Sequence, residues 1–243
     1  MQPTENKRAW GRLIAIEGID GSGKRTQLDL LSKVLEASGN RVYSTGFPQY
    51  DSWFGKMVAQ FLNGELGALE AVDPHFTALL YAGDRFEAKR KIEAALNEGK
   101  IVLIDRYIGS NLAHQTARAT PDKRSDFRRW IEHLEYGIYD LPREDLILYL
   151  RVPPTEAQKL VAQKSKRSYT NAKQDLLESS LRHLQDAAGM YDILSRSAPW
   201  VTIECFDSKS GAMRSVNEIA REVLAAVEPL LQTAVARQSE KGG

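Results

Sequence analysis

A three-layer α/β fold, with a five-stranded parallel sheet between two layers of helices, follows from how apolar residues are spaced along this 243-residue chain. Five short apolar runs, Arg12–Glu17, 41–46, Ile101–Asp105, 145–151 and Trp200–Glu204, read as strands. Segments with helical spacing lie between them: 24–38, Trp53–Leu62, 73–97, 122–139, and 154–196 with an interruption in its middle. Strands that alternate with helices pair in parallel, because a parallel neighbour needs a long crossover. Runs such as IVLID and LILYL are apolar throughout, as strands buried on both faces should be.

The boundaries are also legible. Asp73 before Pro74 is an N-cap followed by a proline at the first helical position, and Gly99 ends the same helix just ahead of the third strand. No Gly-, Ser- or Pro-rich linker divides the chain, so a single domain is expected over 1–243, with its core at 12–230 and a frayed polar tail from 232 to 243.

With 42% hydrophobic residues the chain can bury one sizeable core. Lys and Arg number 33 against 32 Asp and Glu, leaving no cationic excess to draw the protein onto nucleic acid or an anionic membrane. Any anionic ligand must therefore be held locally. The single cysteine, Cys205, cannot form an internal disulfide or a Cys-based zinc site and reads as a reduced core residue. Residues 1–10 lack a signal-peptide core, and no window approaches the ~20 apolar residues of a membrane span, so a cytoplasmic location is expected.

The strongest motif, Gly18-Ile19-Asp20-Gly21-Ser22-Gly23-Lys24-Arg25-Thr26, lies between the first strand and the first helix. Glycines there let backbone N–H groups curl around phosphate, the helix N-terminus adds positive potential, and Lys24 adds a full charge. This is the cradle of a P-loop NTPase, made for a nucleoside triphosphate. One position departs from the pattern. Where a Ser or Thr hydroxyl ordinarily ligates Mg²⁺ stands Arg25, and a guanidinium cannot ligate a cation. Thr26 lies about 100° further round the helix. Mg²⁺ is accordingly expected to keep extra water and to lean on the nucleotide and on Asp105, with Arg25 either near the phosphates or turned to solvent.

The third strand ends in Asp105-Arg106-Tyr107. It delivers a carboxylate and a guanidinium to the strand edge outside which open α/β sheets bind ligands. Asp105 suits a water-mediated hold on Mg²⁺, and Arg106 suits bidentate contact with a phosphate. An internal Asp–Arg pair capping the strand is the plainer alternative.

Four motifs in order, GIDGSGK at 18–24, Phe47-Pro48-Gln49-Tyr50, Leu80-Tyr81-Ala82-Gly83-Asp84-Arg85 and DRYIGSN at 105–111, make the chain resemble the thymidylate kinase family from about residue 12 to 227. The resemblance implies transfer of the γ-phosphoryl group of Mg·ATP to dTMP. Asp20 would then accept from the deoxyribose 3′-hydroxyl, Phe47 and Pro48 would wall the monophosphate site, and Tyr50 would lie near the phosphate. Tyr81 would stack on thymine, although by itself, beside Leu79 and Leu80, it reads more readily as core. Arg85 would clamp the dTMP phosphate with Arg106, the alternative being a surface ion pair with Asp84 or Glu87. Asn111 and Gln115 would read the pyrimidine edge, with Ser110 on the same wall. His114 reads as a surface or packing residue.

Some members of that family carry a catalytic arginine in the phosphate loop, where this chain has Gly21. The resemblance therefore places it with those that supply cations from a mobile basic lid, about 160–174, with Arg167 first and Lys164 or Lys173 second. No nucleophilic Cys, Ser-His or Lys arrangement is visible, so Lys24, Mg²⁺, Arg106 and Arg167 would catalyse a direct in-line transfer. The family likeness also implies a homodimer. Two other readings stay open: a kinase for another nucleotide or nucleoside, and a non-catalytic nucleotide-binding protein, to which Arg25 lends weight.

Overall fold

The computed structural model describes residues 11–162, 177 and 180–239. All five expected strands form: β1 Arg12–Glu17, β2 Val42–Gly46, β3 Ile101–Asp105, β4 Leu146–Arg151 and β5 Trp200–Glu204. They make one sheet in the order β2-β3-β1-β4-β5, with every pair parallel. Helices α1 Lys24–Ala37, α2 Trp53–Leu62, α3 Pro74–Asn97, α4 Ile108–Ala117, α5 Arg124–Glu132, α6 Pro154–Ala162, α7 Leu181–Leu194 and α8 Val216–Ser239 surround it. A small antiparallel ribbon, β6 Phe206–Asp207 with β7 Ala212–Met213, precedes α8.

The inner strands β1, β3 and β4 bury almost every side chain, whereas the edge strands β2 and β5 are largely half-exposed or exposed. Each large aliphatic residue so buried contributes about 1.5–3 kcal/mol. The register sets Ile16 opposite Asp105, so the loop leaving β1 and the turn leaving β3 emerge side by side at one edge. A second, smaller cluster, with Val58, Phe61, Leu62 and Leu80 at its centre, packs α2 against α3 beside that edge.

Helix α3 starts and stops where its residues dictate. The Asp73 side chain accepts from His75 N at 2.6 Å, Pro74 follows the cap, and Gly99 at φ 74° turns the chain toward β3.

Three features depart from the sequence reading. Helix α4 was not foreseen: all ten of its residues are buried, and its polar face, with Ser110, Asn111, His114 and Gln115, lines a cavity instead of the protein surface. The 122–139 segment is α5 followed by a π-helical turn, His133–Ile138, which admits an extra residue to the winding. The tail expected from 232 is helical as far as Ser239, within α8, and the β6–β7 ribbon is too short for strand periodicity to register.

The burial contrast between strands predicts that Leu148→Ala, on β4, lowers unfolding free energy by about 2–5 kcal/mol in urea titrations. Val201→Ala, at the edge, should cost less than about 1 kcal/mol.

Candidate active site

Between β1 and α1 the loop is wound through Gly18, Gly21 and Gly23 at φ 142°, 88° and 86°, conformations that side chains resist. Gly21 is constrained twice, since a Cβ there would lie 2.3 Å from the carbonyl oxygen of Ala157 in α6. No arginine can replace it without moving α6. The buried Lys24 donates from Nζ to the carbonyl oxygens of Gly18 and Ile19, both at 2.9 Å, and to Ser22 Oγ at 3.4 Å. It thus has the structural duty that the sequence did not suggest. Burial chiefly, and then Arg106, pulls its ammonium down to about 8, against the opposing pull of Asp20. An anion in the loop would raise it again. Arg25 points to solvent and pairs with Asp29 at 3.0 Å one turn on, and Thr26 is exposed beside it.

Arg106 is the meeting point. Its backbone sits at φ 63°, a left-handed conformation that costs about 1–3 kcal/mol for a bulky residue and must be held by its neighbours. Arg106 N donates to Ile16 O at 3.0 Å, and the next amide, Tyr107 N, donates to Glu17 Oε1 at 2.7 Å. The twist turns the guanidinium into the cleft. Nη2 donates to Asp20 Oδ1 at 2.7 Å, and Nη1 to Ser110 Oγ at 3.1 Å and His114 Nε2 at 3.4 Å. Burial opposes its charge, but Asp20 foremost among the nearby acids outweighs burial and holds the pKa well above the ordinary value.

The adjacent Asp105 leaves Oδ1 buried and unpartnered, while the described residues contain no cluster of three acids, histidines or cysteines able to hold a metal ion. This donor set fits a cation that keeps its own water, with one carboxylate oxygen free to accept from that water. It does not fit an all-protein cage.

Two cavities share these groups. The outer cleft, about 820 Å³, is bordered by Gly21 through Thr26 on one side and by Met213, Arg214, Val216 and Ile219 on the other. Gly18 alone of the expected triphosphate residues is not on its wall, because it packs beneath the loop, where a Cβ would meet Leu150 O. The inner slot, about 70 Å³, is bordered by all ten residues expected to bind the acceptor, from Asp20 to Gln115, together with Leu62, His114 and Leu177. Asp20, Phe47, Pro48, Tyr50 and Arg106 line both cavities. Lys164, Arg167 and Lys173 lie outside the described residues.

A family model of thymidylate kinases matches residues 16–198. The chain belongs to the thymidylate kinase family. It is 36% identical over 141 residues to a thymidylate kinase of Mycobacterium tuberculosis, a stretch covering 58% of this chain and 65% of that protein. It is 32% identical over 216 residues to a probable thymidylate kinase of Pyrobaculum calidifontis, covering 88% and 95%. A solved thymidylate kinase structure from Candida albicans shares the fold at TM-score 0.69 and 21% identity, covering 90% of this chain and 92% of that one.

Within this thymidylate kinase scaffold one expectation needs correcting. Arg85 is buried and bidentate to Glu135, with Nε at 2.6 Å from Oε2 and Nη2 on Oε1. Burial opposes its charge, yet Glu135 more than restores it. Its cation is therefore paired inside the fold, and neither Asp84 nor Glu87, the partners of the expected surface ion pair, is its partner. Asp84 accepts from Gln49 N and Ser52 Oγ, while Glu87 accepts from Phe54 N. Asn111 Nδ2 donates to Ala78 O at 3.1 Å and to the same Glu135 at 2.7 Å, which orients the amide because both partners only accept. Its Oδ1 stays buried and unpartnered. Gln115 Oε1 is taken by Thr77 Oγ1 at 2.7 Å and by Arg118.

The sequence reading missed two acids of this thymidylate kinase site, Glu17 and Glu135. Glu17, at the end of β1, accepts from Tyr107 N, Ser110 Oγ and Tyr191 OH. Its one sequence signal is a charge closing an otherwise apolar strand. Glu135 had no signal at all, being 50 residues from the arginine it neutralises.

Because both partners are buried, Glu135→Ala should lower stability by about 3–5 kcal/mol, leaving Arg85 unpaired. Calorimetry of the double variant Glu135→Leu/Arg85→Met should recover most of that loss.

Proposed function

We propose that this protein phosphorylates dTMP to dTDP with ATP in a single in-line step. The reading rests above all on one observation: the Arg106 guanidinium borders both the triphosphate cleft and the acceptor slot. Two phosphates approaching end to end, one from each cavity, would meet at that cation. An acceptor phosphate oxygen attacks the γ-phosphorus as the bond to the β–γ bridging oxygen breaks. The attacking oxygen is already anionic, so positioning and charge neutralisation carry the catalysis.

Lys24 leaves its own loop carbonyls for the β and γ oxygens, and the amides of the loop hold the rest of the triphosphate. Asp105 would hold Mg²⁺ through water, and the metal would neutralise the same oxygens. Asp20, already on Arg106, takes the sugar 3′-hydroxyl. Further cations, Arg167 first and Lys164 or Lys173 second, would come from the basic segment between α6 and α7. Its flanks support this, since Leu160 borders the cleft and Leu177 borders the slot.

The acceptor base is read at the inner end. Arg85 Nη1, without a partner among the described residues, offers a donor beside the Asn111 Oδ1 acceptor. That pair complements the C=O and N–H edge of thymine and mismatches the reversed edge of cytosine. Arg85 thus serves the base and Arg106 the phosphate, with Tyr81 stacking on the ring.

The whole chain would work as one domain, in the cytoplasm, where a free, buried Cys205 is at home. No helix among the described residues is long and apolar enough to cross a membrane. We also infer a homodimer through the outer faces of α2 and α3, where Trp53, Phe76, Leu79 and Phe86 stand exposed together with Ile138.

A coupled assay with ATP and a panel of dTMP, dUMP, dCMP, UMP and thymidine should give turnover greatest with dTMP and lost without Mg²⁺. Lys24→Met should cut that turnover by roughly 10³-fold or more while the chain still folds, as far-UV circular dichroism would check. Near-normal turnover in the variant, or equal use of dCMP, would refute the reading. For the assembly, light scattering should find the wild type at twice the chain mass and Phe86→Glu shifted to monomer.

A further inference from the structure

His114 and His183 form a buried pair that the reaction as described does not use. His114 is on α4 and His183 in the first turn of α7, 69 residues apart, and each is 5% exposed. His114 Nδ1 lies 3.2 Å from His183 Nε2, and His114 Nε2 lies 3.4 Å from Arg106 Nη1. A guanidinium can only donate, so His114 Nε2 must carry the lone pair and Nδ1 the hydrogen. That hydrogen then points at His183 Nε2, which must accept.

Both rings are driven toward the neutral form. Burial is the main cause, holding His114 well below its ordinary value and His183 at about 4. The surrounding charges do not reverse this. Arg106, His183 and Lys24 act on His114 in the same sense as burial against Asp20, and Arg118 acts so on His183 against Asp20 and Asp186.

We propose that His183, acting through His114, is a positioning residue for Arg106. An isolated neutral imidazole exchanges its proton between two nitrogens. With His183 Nε2 accepting from His114 Nδ1, His114 keeps its lone pair on the Arg106 side. Without that acceptor the other tautomer becomes available, and its Nε2–H would face the Nη1–H of Arg106, donor against donor. Arg106 would then be held only by Asp20 and Ser110, free to swing by the fraction of an ångström that in-line transfer does not tolerate. The edge of the Tyr191 ring system, 5.9 Å from His114 at 85°, holds the ring in place but supplies no tautomer preference.

This inference rests on Arg106 as the phosphate grip, and the tests separate the two. In the ligand-free wild type at pH 7, ¹⁵N-resolved histidine spectra should show His114 neutral with its hydrogen on Nδ1. A hydrogen on Nε2, or an imidazolium, overturns the proposal whatever the activity. In turnover, His183→Leu should lower kcat by about 10- to 100-fold with the ATP KM nearly unchanged. His183→Gln, whose Oε1 can accept the same hydrogen bond, should stay within about threefold of wild type. If the Leu and Gln variants behave alike, His183 is a packing residue and the proposal fails. If His183→Leu does not fold, the wild-type tautomer and the activity of the Gln variant still decide. An active Arg106→Ala enzyme would sink the phosphate grip while leaving the histidine spectra as the judge of the pair.

Discussion

The arrangement at this site depends on keeping a buried guanidinium charged and pointed at one place. Arg106 sits in a backbone conformation that bulky residues avoid, and it is tolerated because β1 and β3 lie in register beside it. The amide of Arg106 is spent on Ile16, and the next amide on the carboxylate that ends β1. What emerges is a cation aimed between the two cavities, balanced by Asp20 so that burial does not discharge it.

The same logic recurs around it. Glu17 and Glu135 are fully buried carboxylates, and each gathers donors from elements far apart in the chain. A buried charge without partners would cost several kcal/mol, so each acid obliges its neighbours to converge. Glu17 ties α4 and α7 to the end of β1. Glu135 ties α3 and α4 to the π-helical turn, leaving one edge of Arg85 and the oxygen of Asn111 for a ligand. Structural acids thereby place the functional cations and amides.

The division of labour between the arginines illustrates how placement changes a reading. Arg85 and Arg106 look equivalent in sequence, each following an aspartate on an element that reaches the same edge. In the fold Arg85 pairs with Glu135 beside the slot, while Arg106, paired with Asp20, stands where the cavities join. Family likeness drew both toward phosphate, whereas only Arg106 borders both cavities.

All five strands and the phosphate loop were legible in the sequence, because apolar runs, glycines and a lysine at fixed spacing express local geometry and burial directly. The ten residues expected at the acceptor were legible, Arg106 apart, only through family likeness, and all ten border one slot. Helix α4 escaped because it is short and buried all round, its polar residues Ser110, Asn111, His114 and Gln115 facing the slot instead of solvent. Glu135 and the histidine pair escaped for a different reason. Hydrogen-bond partners 50 or 69 residues apart leave no mark in local sequence, so only tertiary packing determines which cation is neutralised and which nitrogen carries the proton.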